Sequence, residues 1–341
     1  EPGQEIEPRG TTIALNDVSF SYDEGLPVLA GVSLSAPQGR VTALVGPSGA
    51  GKSTILRLLN GLIPHFHDGE LTGRVLVGGE EVCDTPIERS GLRTATVFQN
   101  PAAQFFTTTV ADELAFAPQN YQVPAPEIRR RRNEALETLG ITDLAERELH
   151  GLSGGQTQKV ACAQALAQQT PVILLDEPTN GLDPAGVAEI RELIVALARQ
   201  EGVTVIVSSH ILSEIEQMAD VVGIICAGSL RYQGPLSGLQ DEGVIDFTVS
   251  DPVGVAALLT EQRIAHQVRG RTVRIPMLPD EAVGDLVTRI VRAGGTVFRV
   301  QTVRKTLEQA FLELTDPLGH QHRPGPAADA VPLTTGRGAQ R

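Results

Sequence analysis

The 341-residue sequence predicts an α/β domain built on a mainly parallel sheet, followed by a small α+β domain. The first observation is a set of continuous apolar runs of strand length, each followed by a helical pattern: Val41–Val45, Val172–Leu175 and Val203–Val207. Strands that read as uninterrupted valine, isoleucine and leucine are buried on both faces, which is typical of parallel sheets covered by helices. The second observation is an alternation of short strands and helices that begins near residue 244.

Composition along the chain predicts two domains flanked by two tails. Residues 1–10 are rich in proline, glycine and glutamate, and residues 317–341 in proline, glycine and alanine. Neither segment has apolar periodicity, so both are predicted to be disordered. The large domain is predicted over residues 11–240 and the small domain over residues 244–316.

Residues 102–151 differ from the rest of the large domain. They carry helical patterns rich in arginine, glutamate and leucine at Glu127–Gly140 and Thr142–Leu149, and no continuous apolar strand. The segment therefore predicts a helical insertion.

The small domain reads as a regular order of elements that ends in a helix at Thr306–Leu314. The preceding elements are predicted as a strand at Val244–Val249, a helix at Val253–Gln262, strands at Ile264–Val268 and Thr272–Ile275, a helix at Pro279–Ala293 and a strand at Val297–Val300. This β-α-β-β-α-β order is ferredoxin-like. A fold alone assigns no function. For this domain we expect a docking or dimer-stabilising module rather than a ligand sensor.

Charge and apolar content exclude several classes of function. The formal net charge of −13 removes the electrostatic driving force for nucleic-acid binding, so no nucleic-acid partner is expected. No apolar run approaches the roughly 18–20 residues that span a bilayer, so no direct membrane insertion is expected. The three cysteines form no CxxC pair, which suits a reducing cytosol.

A phosphate-binding pattern stands between the first buried strand and a helix predicted at Ile55–Asn60. Its residues are Gly46, Pro47, Ser48, Gly49, Ala50, Gly51, Lys52, Ser53 and Thr54. Glycines let the backbone turn so that several N–H groups point at one spot, at the positive end of the helix dipole. Lys52 supplies a charge for the β- and γ-phosphates, and Ser53 a hydroxyl for Mg²⁺.

Two further apolar strands end in residues with chemistry. Asp176 and Glu177 follow the strand that begins at Val172, and parallel sheets expose function at this edge. Asp176 suits the Mg²⁺ shell, and Glu177 is suited to polarise an attacking water as general base. His210 follows Val203–Val207 and is predicted to contact the γ-phosphate at the same edge.

The segment after the insertion completes a recognisable set of motifs. Leu152 is followed by Ser153, Gly154, Gly155 and Gln156, which resembles the signature motif of ABC ATPases. The companion motifs stand in that family's order, and the resemblance covers residues 11–240. It implies the P-loop NTPase fold of ABC ATPases with the helical insertion, ATP hydrolysis, and ATP and Mg²⁺ as ligands.

The resemblance also implies roles for individual residues. Tyr22 resembles the aromatic residue that stacks on adenine, and residues 46–54 resemble the Walker A loop. Gln99 resembles the Q-loop glutamine that binds Mg²⁺ and links it to the membrane partner. Asp176 and Glu177 resemble the Walker B aspartate and the catalytic glutamate. Asp183 resembles the aspartate of the D-loop, and His210 resembles the switch histidine.

In this family the signature motif closes over the γ-phosphate held by the opposite subunit. One phosphate loop and one signature in a chain therefore imply a second ATPase subunit, in a homodimer or a heterodimer. The resemblance further implies a membrane permease as partner, and a peripheral location at the cytoplasmic face of the plasma membrane.

The direction of transport is indicated by two sets of segments. Gly61–Phe66, Phe98–Phe116 and Lys159–Ala163 resemble energy-coupling-factor importers of small molecules, whereas Glu177–Gly186, Ser208–Asp220 and Thr306–Thr315 resemble ATPases of antibiotic and drug exporters. The first set includes the region that grips the membrane partner in this family, so import is slightly favoured over export.

A third alternative is a non-transport ABC ATPase that acts in translation or DNA repair. Translation factors of that kind normally carry two ATPase units, and repair proteins carry long coiled coils. The single phosphate loop, the absence of sustained heptads and the acidic charge all disfavour this class.

Overall fold

The computed structural model describes residues 11–22, 25, 27–239, 243–303 and 307–315. The tails predicted at 1–10 and 317–341 lie outside the described residues. So do residues 240–242, and the boundary between the two domains stays a prediction.

The described residues form strands and helices that are numbered here in chain order. The strands are β1 (Thr11–Ser21), β2 (Leu29–Pro37), β3 (Val41–Val45), β4 (Glu70–Val77), β5 (Glu80–Glu81), β6 (Thr94–Val97), β7 (Val172–Asp176), β8 (Thr204–Ser209), β9 (Val221–Cys226), β10 (Ser229–Pro235), β11 (Val244–Val249), β12 (Gln267–Arg269), β13 (Thr272–Pro276) and β14 (Val297–Val303). The helices are α1 (Lys52–Leu59), α2 (Leu62–His65), α3 (Ile87–Ser90), α4 (Val110–Asn120), α5 (Ala125–Thr138), α6 (Gly154–Ala167), α7 (Pro184–Arg199), α8 (Leu212–Met218), α9 (Pro252–Glu261), α10 (Asp280–Arg292) and α11 (Leu307–Thr315).

The central sheet is mainly parallel, as the apolar runs predict. Its strand order is β10-β9-β3-β8-β7-β6. The neighbours from β9 to β6 pair in parallel, and only β10 pairs antiparallel with β9. Every residue of β3, β7 and β8 is buried. A strand buried on both faces needs side chains that are mainly apolar without alternation. The three strands fit this pattern except at Thr42, at Thr204 and at the polar residues that end β7 and β8.

Successive residues of the central strands enter two different cores. Ile173 and Leu175 pack with helices α4 to α7 on one face of the sheet. Leu174 packs on the other face with α1 and the antiparallel sheet of order β2-β1-β4-β5. The central sheet is therefore the middle layer of the large domain. The carboxyl ends of its parallel strands lie at one common edge.

The helical insertion contains α4 and α5, and one predicted helix within it is wrong. The segment predicted as helix at Thr142–Leu149 has a 3-10 turn at Thr142–Leu144 and another at Leu149–Gly151. Its backbone carbonyls instead accept from the start of α4: the oxygens of Arg147 and Ala145 lie 3.1 and 2.8 Å from the nitrogens of Val110 and Ala111. These carbonyls bond with the otherwise unpaired N–H groups at a helix start, so they cannot continue a helix of their own.

The small sheet has the strand order β12-β13-β11-β14, which is the ferredoxin-like arrangement of the predicted element order. Phe247 and Val273 lie in its own hydrophobic core with α9 and α10. The strand predicted at Ile264–Val268 begins three residues later. Arg263 adopts a left-handed φ of 58° and the Ile264 N–H donates to Leu259 at 2.9 Å, so both residues close the end of α9.

The last described helix, α11, lies elsewhere than predicted. It was assigned to the small domain, but Leu307 and Ala310 are buried in the helical core of the large domain. The Leu307 N–H donates to a carboxylate oxygen of Glu216 on α8 at 3.0 Å. The chain thus returns to the large domain after β14. Within the described residues, no helix combines the length and apolarity needed to cross a bilayer.

Candidate functional site

The loop between β3 and α1 places a lysine beneath an exposed turn. Gly51 has a φ of 104°, and a Cβ there would lie 2.6 Å from a methyl of Leu29, so only glycine fits. Pro47 is exposed, whereas Lys52 is only 4% exposed. The Lys52 ammonium donates to the carbonyls of Gly46 and Pro47 at 2.9 and 3.1 Å. The loop is therefore preorganised around a positive charge.

Two oxygen-bearing side chains meet at the foot of this loop. The Asp176 carboxylate, at the end of β7, accepts from the Ser53 hydroxyl at 3.1 Å and from the Ser208 hydroxyl at 2.6 Å. Hydroxyl and carboxylate oxygens are the ligands that Mg²⁺ prefers. The donor set of Ser53 and Asp176 fits a magnesium ion that arrives with a triphosphate.

Glu177 is held by side chains from three other segments. Its Oε1 lies 3.8 Å from the Lys52 ammonium and 3.4 Å from His210 Nδ1, and its Oε2 accepts from the Gln99 amide at 3.0 Å. The side chain is 13% exposed. Its backbone has a φ of 48°, a left-handed conformation that costs a non-glycine residue on the order of 1 kcal/mol.

The topology explains why these residues converge. Strands β3, β8 and β7 are parallel neighbours, and β6 pairs with β7 on the outer side. Lys52, Glu177, His210 and Gln99 all follow the carboxyl ends of these strands in the chain. Because such ends meet at one edge of the sheet, four sequence-distant side chains form one cluster there.

Tyr22 lies beside the phosphate loop and outside the Glu177 cluster. Its hydroxyl is 3.4 Å from the Thr54 hydroxyl and accepts from the Arg57 guanidinium at 3.1 Å. The ring of Phe20 packs edge-on against it at 4.7 Å between centroids. The structure thus places Tyr22 at one end of the loop, with its hydroxyl anchored to α1.

The signature residues lie apart from the phosphate loop. Ser153 caps α6: its hydroxyl accepts from the Gln156 N–H at 3.3 Å, while the Gln156 side chain accepts from the Ser153 N–H at 3.0 Å. A cleft of about 500 Å³ is lined by residues 153–156 and by Asp183, which caps α7 by accepting from Gly186. Among the described residues that line this cleft, none belongs to residues 46–54.

Two residues of this region escaped the sequence reasoning. The Ser208 hydroxyl bridges the site, since it donates to Asp176 and accepts from the Glu177 N–H at 2.9 Å. Arg57 anchors Tyr22. Ser208 at the end of an apolar run reads as an ordinary strand end, and its neighbour His210 was the only signal nearby. Arg57 looks like any surface residue of an amphipathic helix.

Comparison with known proteins identifies the class. The model of the family described as ABC transporter matches residues 29–180. The energy-coupling factor transporter ATP-binding protein EcfA of Methanothermobacter thermautotrophicus is 35% identical over 310 residues, which cover 90% of this chain and 88% of that protein. A solved structure of cbiO1 from Clostridium perfringens, described as part of the ABC transporter complex cbiONQ, superposes with a TM-score of 0.61 at 32% identity, over 67% of this chain and 89% of that chain.

Two further matches cover about two thirds of this chain. A putative ABC transporter ATP-binding protein of Streptomyces avermitilis is 41% identical over 63% of this chain, but the chain spans only 38% of its length. A dimeric ATP-binding cassette solved with ADP and phosphate after hydrolysis superposes with a TM-score of 0.58 at 26% identity, over 66% of this chain and 98% of that chain.

The fold and the site define a P-loop ATPase of the ABC type. The chain belongs to the family of ABC transporter ATP-binding proteins, and it is an ATPase whose hydrolysis is coupled to transport.

Proposed function

We propose that this chain is the ATP-hydrolysing subunit of an energy-coupling-type importer, and that it drives a separate membrane permease for a small molecule. Two relatives support import. EcfA, named as an energy-coupling factor transporter protein, matches nearly the whole of both chains, and cbiO1 is described as part of the ABC transporter complex cbiONQ. They weigh against the exporter resemblance of residues 175–316. The subunit would lie at the cytoplasmic face of the plasma membrane, attached through the permease.

In this proposal the phosphate loop holds the triphosphate. Backbone N–H groups of residues 46–54 and the buried Lys52 charge bind the phosphates. Ser53, Asp176 and the amide of Gln99 would hold Mg²⁺. When bound, the ion neutralises negative charge that develops on the phosphate oxygens. Tyr22, already fixed beside Thr54, would stack on adenine.

The single observation that carries the proposed chemistry is the arrangement around Glu177. Its carboxylate is desolvated to 13% exposure and has three partners at 3.0 to 3.8 Å. A carboxylate held in this way can accept a proton from a water that attacks the γ-phosphorus. Gln99 and His210 position the carboxylate, and His210 also stands at the edge where the γ-phosphate would lie.

The second part of the proposal is a site shared between two subunits. Residues 153–156 start a helix and line an open cleft. The capping box uses the N–H groups of Ser153 and Gln156, so those of Gly154 and Gly155 would bind an anion. That cleft is separate from the phosphate loop of the same chain. The signature and Asp183 of one subunit would therefore complete the nucleotide site of the other, as the dimeric form of a related cassette supports.

Replacement of the buried lysine tests the assigned ligand. We expect Lys52→Ala to weaken Mg-ATP binding at least tenfold, since a charge-assisted contact contributes roughly 1.5–3 kcal/mol. Isothermal titration calorimetry measures the affinity, and phosphate release measures turnover.

The matched control is Arg40→Ala. It also removes one positive charge, but from an exposed pair with Asp220. The proposal requires the control to bind ATP like wild type. Equal ATP affinity of Lys52→Ala and wild type would contradict the assignment of the phosphate loop.

A further inference from the structure

A buried chain of hydrogen bonds joins the insertion to the signature helix. Glu113 on α4 is fully buried, and its Oε2 accepts from the backbone N–H groups of Phe106 and Thr107 at 3.0 and 2.9 Å and from the Thr107 hydroxyl at 2.9 Å. Its Oε1 accepts from the Gln164 amide on α6 at 2.8 Å. All four bonds have good length, so the buried carboxylate is satisfied.

The chain continues from Gln164 toward the catalytic edge. The side-chain oxygen of Gln164 accepts from the side-chain amide of Gln104 at 2.8 Å. The side-chain oxygen of Gln104 accepts in turn from the backbone N–H of Phe98 at 3.0 Å. Phe98 immediately precedes Gln99, whose amide donates to Glu177. Each glutamine uses one donor and one acceptor, so the bonds run in one direction from Phe98 to Glu113.

The two ends of this chain face different surroundings. At one end, Gln99 contacts the proposed general base. At the other end, the Phe106 side chain is 74% exposed and stacks on Phe116, with 5.3 Å between ring centroids and 18° between ring planes. Between the ends stands α6, whose first turn is capped by Ser153. Gln164 therefore lies where three parts of the molecule meet. They are the Gln99 segment (residues 98–104), the Phe106 loop (Phe106 and Thr107) and α6.

A polar link of this kind does something that apolar packing does not. Apolar contacts are non-directional and allow segments to slide, whereas a fully paired network fixes their relative orientation. Loss of Gln164 leaves Glu113 Oε1 buried without its partner and breaks the link between Glu113 and Gln104.

We propose that Gln164 is a positioning residue that makes the Gln99 segment, the Phe106 loop and α6 move as one body when ATP binds. The inference rests on the proposed function, because it takes ATP as the ligand of the phosphate loop. Gln164 itself is buried, and its side chain bonds with Gln104 and Glu113. Its effect is to carry a change at Gln99 to the backbone of Phe106 and Thr107.

The test replaces Gln164 by methionine, which has similar length and no hydrogen-bonding amide, in the full chain. We expect kcat for ATP to fall about tenfold through misplacement of Gln99, with KM and ATP affinity unchanged. We also expect ATP to change the hydrogen exchange of the Phe106 and Thr107 amides in wild type. In Gln164→Met this ATP-dependent change is lost.

Further variants keep the test decisive. Gln104→Met removes the same link at a half-buried position and leaves Glu113 with its Gln164 partner, so it serves if Gln164→Met does not fold. The double variant should lose no more kcat than Gln164→Met alone, because both changes cut one chain of bonds. Gln168→Met, at the end of the same helix, is the control and should retain wild-type kcat and exchange.

The outcomes separate this inference from the function on which it rests. If wild type hydrolyses ATP and both variants keep its kcat and its ATP-dependent exchange, the positioning role is overturned and the proposed function stands. If purified wild type hydrolyses no ATP, the proposed function fails and this inference fails with it.

Discussion

One charged pair on the small sheet and one charged cluster at the edge of the central sheet differ in how far apart their members lie in the sequence. On the small sheet, Asp246 of β11 and Arg274 of β13 are register neighbours, joined by two bonds of 2.7 and 2.8 Å. At the edge of the central sheet, Glu177 meets Lys52, Gln99 and His210, which follow three other strands. The first arrangement is local and self-contained, whereas the second needs the whole fold.

The difference teaches how to separate stabilising charges from chemical ones. The Asp246 pair satisfies both partners and leaves nothing for a ligand. The Glu177 cluster combines a left-handed backbone, a buried lysine and a histidine. Each of these features stabilises the folded protein less than apolar side chains at the same place would. We therefore expect changes at the cluster to alter ATP turnover, and changes at the pair to alter stability alone.

The largest expected effect among these comparisons is at the signature. Ser153→Arg puts a bulky cation into the open cleft, so the second subunit can no longer close on it. ATP turnover should fall by about 100-fold while each subunit still binds ATP. Light scattering with ATP measures whether the dimer forms.

The control is Ser153→Ala, which loses the helix cap, worth about 1 kcal/mol, but adds neither bulk nor charge to the cleft. It should still dimerise. An ATP-induced dimer of undiminished amount in Ser153→Arg would contradict the assignment of the signature to the surface on which the second subunit closes.

A smaller effect is expected at the switch position. His210→Ala removes one of the three partners of the Glu177 carboxylate and should lower kcat about tenfold or more, with ATP affinity unchanged. Steady-state phosphate release gives both parameters. His150→Ala, an exposed histidine outside the cluster, should behave like wild type. Equal kcat in the two variants would remove His210 from the cluster's function.

The smallest effect is expected on the small sheet. The Arg274 guanidinium holds the pKa of the Asp246 carboxyl below its usual range, mainly through its hydrogen bonds. A lowered pKa in the folded state stabilises the protein above the unfolded pKa of about 3.9, and this stability is lost as the pH falls through the folded value. Asp246→Asn should therefore lower the free energy of unfolding by about 1 kcal/mol at pH 7 and by less below pH 4.

Urea unfolding at the two pH values measures this difference, and the ATPase assay provides the contrast. Turnover of Asp246→Asn should equal that of wild type. A turnover defect comparable to that of His210→Ala would break the distinction between the two sheets.

The sequence predicted the parallel sheet because its buried strands are apolar without alternation, and this prediction is confirmed. The family is confirmed as well, since its motifs are local in sequence. The helix predicted at Thr142–Leu149 is wrong, because its carbonyls bond with the start of α4. The burial of α11 in the large domain was also missed, since docking depends on tertiary contacts that no periodicity records.

The candidate site shows the same limit. Motif residues such as Lys52 and Glu177 can be predicted from residue type and spacing, and the structure brings these two side chains together. Ser208 and the Glu113–Gln164 network cannot be predicted in this way, because the role of a serine or a glutamine depends on its bonding partner in the fold. The roles assigned to individual residues stay predictions until the variants are measured.

The most direct test of the central claim is single-turnover hydrolysis of ATP by wild type and Glu177→Gln at equal ATP occupancy. The substitution keeps the shape of the side chain and removes the base. The account predicts unchanged ATP binding and a hydrolysis rate at least 100-fold lower, roughly the range attributed to a general base. Hydrolysis by Glu177→Gln at a rate near that of wild type would contradict the claim that Glu177 activates the attacking water.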